Sequence, residues 1–352
     1  MSTPPGRPLL CGYYGEHNLG DDALLTVLLE QLPGGIEPVV TARDQEQVRR
    51  RFAVATVNRQ RLGAVLAALG GCDALVLGGG SLLQDSTSFR SLVYYALLIL
   101  AARRRRLPVL LWAQGLGPLR RRRSRLLVRL LLPLVSACSW RDPASAELAR
   151  RLGGSGSIGS DPVWAFPSAA WQGHGGPIVL CWRPVARLDE QGWIPYLRAL
   201  AVLAVASGRE VLWLPFHREQ DSALPGWLEP RGLLPTGLQQ RSRQLEAADP
   251  AAALEVFGRA GLVLAMRLHG LILAAVAGAP CAALSYDPKV EAAAAAIGCP
   301  CQHLDVPAAD DLADCWQATL DHPPSPQRIA EQRQATVVHR RLLQHWLASQ
   351  PV

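Results

Sequence analysis

Short apolar runs alternate with helical patterns along the chain, and this alternation constrains the fold more than any other feature. In the first half, runs of strand length occupy residues 8–13, 37–42, 73–77, 107–113 and 135–140. Helical patterns separate several of these runs, at residues 21–32, 89–104 and 143–153. Because such an order with short connections favours a mostly parallel sheet covered by helices on both faces, the sequence predicts an α/β fold.

The alternation restarts beyond residue 177, after a segment at 166–177 that is rich in Gly, Pro and small residues. Further apolar runs lie at 178–184, 210–216, 260–265 and 280–286, with a helical pattern at 190–207. A chain of 352 residues also exceeds what one core ordinarily supports. We therefore predict an N-terminal domain over 1–170, a C-terminal domain over 177–324, and a cleft between them. Residues 325–352 predict one long amphipathic helix that packs back across both domains.

The composition is typical of a globular enzyme, with 49% hydrophobic and 18% charged residues. The net charge is +7, and almost all of the positive residues are arginines. A net positive charge favours binding to acidic ligands, anionic membranes or nucleic acid. No motif of a nucleic-acid reader accompanies the basic clusters, which disfavours nucleic acid. The sequence shows neither a secretory leader nor an apolar run of membrane-spanning length, so we expect a cytoplasmic protein. Its eight cysteines lack paired CxxC spacing, so we expect reduced thiols and no metal site.

Arg267 and His269 lie where a predicted buried strand meets a predicted helix that begins at Gly270. In an extended segment, residues i and i+2 share a face, so both side chains would point into the crevice beyond the end of the strand. A cation, an imidazole and the first amides of a helix form a receptor for phosphate or carboxylate. The alternative is a core histidine bonded to a carbonyl, with Arg267 in a structural salt bridge.

A glycine-rich turn follows the first predicted strand, in the segment GYYGEHNLGDDALL. Gly20 would let the backbone approach a ligand closely, and Asn18 would supply a hydrogen-bonding side chain. Asp21 or Asp22 would cap the following helix. The segment matches neither the Walker nor the Rossmann glycine pattern, and a plain tight turn with a capped helix is the alternative.

A second glycine-rich turn, LVLGGGSLLQDSTSF, includes Gly79 and Gly80 and requires a close approach by another backbone or a ligand. The polar residues that follow suit a hydroxyl-rich partner such as a sugar, although a hydrated loop has a similar composition; they are Gln84, Asp85, Ser86, Thr87 and Ser88. At a third strand exit, Arg141 offers a fork-shaped clamp for carboxylate or phosphate. The alternative for Arg141 is a salt bridge to Asp142 or another carboxylate.

Six motifs in this order resemble the polysaccharide pyruvyl transferase family of the bacterial cell-wall type. They are GYYGEHNLGDDALL, GGGSLLQDSTS, WAQGLGPL, WRDPASAELARRLG, SDPVW and RLHGLILAAVAGAPCAALSYDPKV, from residue 12 to about 290. The resemblance implies a GT-B-like pair of Rossmann-like domains. It also implies that phosphoenolpyruvate donates pyruvate as a ketal to two hydroxyls of one sugar in a polysaccharide precursor, which we expect to be lipid-linked.

The resemblance associates the positions of Arg141, Arg267 and His269 with donor binding and catalysis. Phosphoenolpyruvate carries both a carboxylate and a phosphate, so we expect more than one arginine to bind it. The donor methylene must be protonated before a hydroxyl can attack, and His269 is the candidate acid. Asp161 or Asp85 is expected to orient or deprotonate the acceptor, and the scheme requires no metal, nucleotide or other cofactor. The remaining residues expected to bind substrate are Asn18, Gly20, Asp21, Gly79, Gly80, Gln84 and Arg183.

Two runs of four arginines, Arg103–Arg106 and Arg120–Arg123, adjoin apolar helical patterns. They predict a basic face that binds the inner surface of the cytoplasmic membrane, and solvated helix ends are the alternative. Two further classes of function also fit the sequence. A nucleotide-sugar-dependent GT-B glycosyltransferase would share the two-domain cleft, and a carbohydrate-binding relative without activity would keep the glycine-rich turns.

Overall fold

The computed structural model describes residues 6–86, 88–168 and 170–348, so the predicted polar residue Thr87 lies outside the described residues. The chain divides into two compact units. The first unit contains the described residues up to Glu16, from Asp21 to Ala165 and from Gln332 onward. The second unit contains His17–Gly20 and the described residues of Phe166–Glu331. A four-residue segment near the N-terminus is therefore part of the second unit.

The first unit is built on an eight-stranded parallel sheet. Its strands are β1 (Pro8–Tyr14), β2 (Val39–Ala42), β3 (Ala55–Asn58), β4 (Ala74–Leu77), β5 (Gly80–Leu83), β6 (Val109–Leu116), β7 (Ala137–Trp140) and β8 (Ser157–Ile158). The strand order is β3-β2-β1-β4-β6-β7-β8, and β5 also pairs with β6. All residues of β4 and β6 are buried, as expected for central strands of a parallel sheet with both faces covered.

Six helices belong to the βα units of this sheet. They are α1 (Leu19–Gln31), α2 (Gln45–Phe52), α3 (Leu62–Leu69), α4 (Phe89–Arg104), α5 (Arg122–Leu131) and α6 (Pro143–Arg151). Asp44 and Asp142 precede α2 and α6, and each side chain accepts a hydrogen bond from an amide in the first turn. Such caps satisfy amides that have no partner within the helix.

The second unit is built on a six-stranded parallel sheet of order β11-β10-β9-β12-β13-β14. The strands are β9 (Ile178–Cys181), β10 (Val211–Trp213), β11 (Ser242–Gln244), β12 (Leu262–Ala265), β13 (Cys281–Ser285) and β14 (Cys301–His303). The helices are α7 (Glu190–Ser207), α8 (Arg218–Asp221), α9 (Leu224–Leu228), α10 (Thr236–Gln239), α11 (Pro250–Gly258), α12 (Leu268–Val276), α13 (Pro288–Ile297) and α14 (Leu312–Thr319). Its core holds Trp182, which stacks on Trp193 and meets Trp213 edge-on, both at 5.8 Å between ring centroids.

The C-terminal segment forms two helices, α15 (Pro326–Ala335) and α16 (Val337–Ala348), so the prediction of one long helix is wrong. Thr336 interrupts them because its hydroxyl donates to the carbonyl of Arg333 at 2.7 Å, a local bond that competes with the regular helical pattern. Within the first unit, α16 is fixed by the fully buried His339, whose ring nitrogens contact the Ser139 hydroxyl and the Ser160 carbonyl, each at 2.8 Å.

None of the described helices combines the length and the apolar character that crossing a bilayer requires.

Candidate functional site

The carboxyl edge of the second sheet gathers polar and charged side chains from four neighbouring strands. Arg183 follows β9, His217 follows β10, Arg267 follows β12 and Tyr286 follows β13. Because the strands are parallel and adjacent in the order β10-β9-β12-β13, their carboxyl ends lie along one edge. This is the edge at which open α/β sheets bind ligands.

Arg267 forms a buried ion pair at this edge. Its Nε donates to Oδ2 of Asp221 at 3.0 Å, and its Nη2 contacts the second carboxylate oxygen of Asp221 and, at 3.1 Å, Oε1 of Gln220. The Asp221 side chain is fully buried and that of Arg267 is 14% exposed. The structural salt bridge that the sequence left open as an alternative is therefore present. These hydrogen bonds to described residues use the Nε and Nη2 nitrogens of Arg267. Nη1 is the third nitrogen of the guanidinium.

Asp221 also fixes the segment that follows β10. Its Oδ2 accepts hydrogen bonds from the amides of Phe216 at 3.1 Å and His217 at 2.8 Å. A buried carboxylate with several donors is stable because its charge is paired and its lone pairs are used. Asp221 was not predicted from the sequence; it lies in the short helix α8 and is separated from Arg267 by 46 positions. No motif in the sequence links the two residues.

His269 lies in the first turn of α12, which begins at Leu268, and the predicted extended segment up to Gly270 is wrong. The amides of Met266 and Arg267 both donate to the carbonyl of Cys181 in β9, and the amide of Leu271 already donates to the carbonyl of Arg267. Arg267 is thus the residue before the helix, and His269 is within it. The rule that residues i and i+2 of a strand share a face therefore does not apply to this pair. The side chain of Arg267 makes no capping hydrogen bond to this first turn.

Gly270 was predicted to begin the helix, but the helix begins two residues earlier, at Leu268. A Cβ at this position would lie 3.0 Å from the Cβ of Cys181, so the glycine allows α12 to pack closely on β9.

Residues 17–20 are hydrogen-bonded to the segment after β10. The amide of Leu19 donates to the carbonyl of Phe216 at 2.8 Å, and the amide of Arg218 donates to the carbonyl of His17 at 3.0 Å. These bonds form an isolated antiparallel bridge between Asn18 and His217. They bring two residues expected to bind substrate, Asn18 and Gly20, to the same edge of the sheet as Arg267 and His269.

Asn18 precedes α1, and its Oδ1 accepts a hydrogen bond from the amide of Gly20 at 3.0 Å. The prediction that Asp21 or Asp22 caps this helix is therefore wrong, because the helix begins two residues earlier, at Leu19. Asp21 and Asp22 lie in the first turn, where negative charge still interacts favourably with the helix dipole. Asp22 is buried and pairs with Arg51 at 3.1 Å, whereas Asp21 is partly exposed.

Gly20 lies directly against the imidazole of His269. A Cβ added to Gly20 would lie 2.8 Å from Cγ and 3.0 Å from Cβ of His269, and closer still to Nδ1. A close approach to a ligand was predicted for Gly20, whereas the close approach in the structure is to His269; ligand binding by Gly20 stays a prediction. We call residues 17–20, 216–221 and 267–270 the Arg267–His269 site.

Arg183 is partly buried beside Tyr286 at the same edge of the sheet. Its Nη1 donates to the Tyr286 hydroxyl at 3.3 Å, and its guanidinium lies 5.5 Å from the centroid of the ring. Strand β12 lies between β9 and β13, so this contact joins residues that follow two strands that are not adjacent. A role for Arg183 in binding substrate stays a prediction.

In the first unit, Arg141 follows β7 and is buried in a second ion pair. Its Nη1 donates to Oδ2 of Asp161 at 3.1 Å, its Nη2 donates to the Ser81 hydroxyl at 3.0 Å, and Asp142 is 3.8 Å away. Gly115 gives it room, because a Cβ there would lie 2.7 Å from Nε of Arg141. The salt-bridge alternative for Arg141 is thus present, and donor binding by Arg141 stays a prediction.

Asp85 anchors the start of α5. Its two carboxylate oxygens accept hydrogen bonds from the amides of Arg120 at 2.8 Å and Arg121 at 2.9 Å. Burial raises the pKa of the Asp85 carboxyl, but the two amide bonds and the Ser124 hydroxyl outweigh that effect, and the pKa is lowered. A carboxylate with a lowered pKa is a weak base, which disfavours the expected deprotonation of the acceptor by Asp85.

The polar and glycine-rich segment before Asp85 makes mainly internal contacts. Oε1 of Gln84 accepts hydrogen bonds from the amide and the hydroxyl of Ser86, both at 2.6 Å. A Cβ at Gly79 would lie 2.8 Å from Leu24 and 3.1 Å from Trp112, so core side chains explain this glycine. Gly80 begins β5 with a φ of 106°, a conformation that favours glycine. Substrate binding by these residues stays a prediction.

Comparison with known proteins identifies the family and the fold of the chain. The model of the polysaccharide pyruvyl transferase family matches residues 18–288, which is most of the chain. None of the curated protein sequences compared with the chain matches it.

Three solved structures illustrate the similarity in fold. The Staphylococcus aureus MnaA–UDP complex has a TM-score of 0.63 and 13% identity, covering 97% of this chain and 95% of that chain. The UDP-GlcNAc 2-epimerase from Methanocaldococcus jannaschii has a TM-score of 0.62 and 10% identity, covering 96% and 98%. Anabaena HepE in complex with UDP-glucose has a TM-score of 0.59 and 13% identity, covering 98% and 100%. These similarities confirm the predicted GT-B fold class with two Rossmann-like units.

Proposed function

Because this chain belongs to the polysaccharide pyruvyl transferase family, we propose that it transfers pyruvate from phosphoenolpyruvate to two hydroxyls of one sugar, forming a ketal and releasing phosphate. The acceptor is a sugar of a polysaccharide or of its lipid-linked precursor. The observation that carries the proposal is the placement of His269 and Arg267 at the N-terminus of α12, on the carboxyl edge of a parallel sheet.

An anionic donor group suits the start of α12. The first amides of a helix carry partial positive charge and can donate to phosphate or carboxylate oxygens, and the Arg267 side chain does not cap them. Arg267 is held by Asp221 in one orientation, so its Nη1 is a preorganised donor. Since Asp221 offsets most of the charge of Arg267, the amides of α12 contribute a substantial part of the attraction for the anion.

His269 is proposed as the acid that starts the reaction. It transfers a proton to the methylene carbon of phosphoenolpyruvate, and the adjacent carbon becomes an oxocarbenium centre. A sugar hydroxyl attacks this carbon and loses its proton, which restores the protonated histidine. Phosphate then leaves with its electron pair, the second hydroxyl attacks the same carbon, and its proton leaves with the phosphate. The products are the cyclic ketal and inorganic phosphate, and no metal or other cofactor takes part.

Gly20 supports this role for His269 because its missing side chain lets the 17–20 segment pack against the imidazole. The packing restricts the ring to a narrow range of orientations, which favours transfer of a proton to one position. Asn18, in the same segment, is proposed to bind substrate.

In the first unit, Arg141 and Asp161 are proposed as substrate-binding residues on the basis of the family. The ion pair between them holds Arg141 in one orientation, and the second oxygen of Asp161 accepts the amide of Val163 at 3.1 Å. Asp85 is disfavoured as the base because its pKa is lowered, which leaves Asp161 as the candidate carboxylate that orients or deprotonates the acceptor.

Phosphate release from phosphoenolpyruvate in the presence of candidate sugar acceptors tests the proposal. We expect acceptor-dependent release by the unmodified protein and a loss of about 100-fold or more in His269→Ala, the usual contribution of a general acid. His345→Ala is the matched control, because His345 is exposed on α16. Equal rates in His269→Ala and His345→Ala would show that His269 is not the acid.

A nucleotide-sugar-dependent glycosyltransferase is the second candidate, because solved structures with the same fold include complexes with UDP and UDP-glucose. The product separates the two reactions, since this alternative releases a nucleoside diphosphate. Thermal unfolding separates them independently, because a ligand present at 100 times its Kd stabilises the folded chain by about 2.7 kcal/mol. We expect phosphoenolpyruvate to raise Tm more than UDP-glucose does, and the opposite order would favour the glycosyltransferase.

A further inference from the structure

Two helices of the first unit expose leucines to solvent. Leu97 and Leu100 on α4 are 41% and 47% exposed, and Leu126 and Leu130 on α5 are 58% and 63% exposed. The opposite sides of the same helices are buried in the core of the unit, through residues that include Leu92, Ile99, Val128 and Leu131. Core packing therefore does not account for the exposed leucines.

The four leucines lie on neighbouring helices. The helices α4 and α5 pack against each other, and the guanidinium of Arg123 lies 4.1 Å from the ring centroid of Phe89, where both helices begin. Spacings of three and four residues place Leu97 with Leu100 on one face of α4, and Leu126 with Leu130 on one face of α5.

The same region carries a high density of positive charge. Between Asp85 and Asp142 the sequence contains eleven arginines before Arg141 and no aspartate or glutamate. All eleven are exposed, and ten of them lie at the C-terminal end of α4, just before α5 and along α5; they are Arg103–Arg106, Arg120–Arg123, Arg125 and Arg129. By contrast, two exposed arginine pairs elsewhere lie beside a glutamate: Arg49 and Arg50 beside Glu46, and Arg150 and Arg151 beside Glu147. We call the four leucines and these ten arginines the α4–α5 surface.

We propose that the α4–α5 surface docks on an anionic lipid bilayer. Leucines enter the boundary between headgroups and acyl chains, and arginines bind the lipid phosphates around them. Neither the leucines nor the arginines alone would identify a bilayer as the partner. A nucleic acid would match the arginines and leave the leucines in water, and a second copy of the chain would bring two sets of arginines together. Docking is independent of the proposed reaction, and it would bring the protein to lipid-linked substrates.

Co-sedimentation of the full chain with vesicles tests this proposal. One set of vesicles contains phosphatidylcholine alone and the other contains phosphatidylcholine mixed with phosphatidylglycerol. We expect binding to the anionic vesicles at low salt, weaker binding at high salt because the charges are screened, and little binding to the neutral vesicles. Absence of binding to anionic vesicles at low salt would overturn the proposal.

Two double variants separate the contributions of charge and apolar contact. Arg122→Gln with Arg129→Gln should lower the partition coefficient about fivefold for each arginine removed. Leu126→Ser with Leu130→Ser should lower it by roughly tenfold or more and also reduce the binding that remains at high salt. All four side chains are exposed, so these variants should keep the circular dichroism spectrum of the unmodified chain.

Matched controls lie on other helices. Val202→Ser with Val205→Ser removes two apolar side chains of α7 that are 58% and 54% exposed, and Arg340→Gln with Arg341→Gln removes two exposed arginines of α16. We expect both controls to bind vesicles as the unmodified chain does. Two results would overturn the proposal: equal losses in the controls and the α5 variants, or a dimer in solution that Leu126→Ser with Leu130→Ser dissociates.

Discussion

Gly20 packs against the imidazole of His269, and a single added methyl group would overlap the ring. The two residues are 249 positions apart in the sequence, yet both belong to the second unit. The glycine is explained by the histidine it contacts, and the orientation of the histidine depends in turn on the glycine.

Gly20→Ala should therefore impair the reaction more than it impairs folding. The new methyl group displaces the His269 ring, and we expect the rate of phosphate release to fall by about 100-fold, as misplacement of a catalytic group commonly does. Gly63→Ala is the matched control, because Gly63 is also the second residue of a helix and a Cβ there meets nothing within 4 Å. Full activity in Gly20→Ala would contradict the proposed role of this contact.

Asp221→Asn should destabilise the second unit, because it leaves the charge of Arg267 buried without its partner. We expect the free energy of unfolding to fall by about 3 to 5 kcal/mol, measured in urea. Asp305→Asn removes an exposed carboxylate that pairs with Arg187, and it should cost about 1 kcal/mol or less. Similar losses in the two variants would show that the Arg267–Asp221 pair is not a buried anchor.

His339 should make the stability of the first unit depend on pH. Burial lowers the pKa of its imidazole from 6.5 to about 4. Between these values the unfolded chain binds a proton and the folded chain does not, so stability is unaffected above pH 6.5 and falls as the pH drops towards 4. The full loss corresponds to about 3 kcal/mol.

Urea unfolding at a series of pH values measures this effect. His339→Gln should lower stability at neutral pH and flatten its decline in acid, whereas His345→Gln, at an exposed position on α16, should change neither. An unchanged pH dependence in His339→Gln would rule out the imidazole as its source.

Asp85→Asn distinguishes an anchor from a catalytic base. Loss of the charged oxygens weakens the bonds to the amides of Arg120 and Arg121, and we expect a loss of about 1 to 2 kcal/mol in stability. Because the pKa of Asp85 is lowered in the folded chain, its contribution is present at neutral pH and disappears as the pH falls through that pKa. We expect the rate of phosphate release to change less than threefold, roughly, at neutral pH. A loss of 100-fold or so would instead make Asp85 the acceptor base.

The sequence predicts the central strands and the longer helices because their patterns are strong. The apolar runs at 73–77 and 107–113 became β4 and β6, and the helical pattern at 89–104 matches α4. The missed strands β3, β5, β8, β11 and β14 lack that signal. Four of them are partly exposed edge strands, and β5 starts within a run of glycines.

Individual contacts of the candidate site are harder to predict. Gly270 was interpreted as the start of a helix, whereas packing against Cys181 explains it, and a single sequence carries no sign of which neighbour a glycine accommodates. Asp221 was missed for a similar reason, since its partners follow β10 and β12 and meet it only in the folded sheet. The segment at 266–290 was singled out as a candidate site because Arg267 and His269 follow an apolar strand, and ligands bind beyond the carboxyl ends of such strands.

The mass of the acceptor sugar after incubation with phosphoenolpyruvate tests the central claim most directly. If the chain forms a pyruvate ketal, the acceptor gains the mass of pyruvate minus one water, one phosphate is released for each acceptor modified, and His269→Ala gives neither product. An acceptor that gains a sugar from a nucleotide sugar, and remains unchanged with phosphoenolpyruvate, would contradict the account.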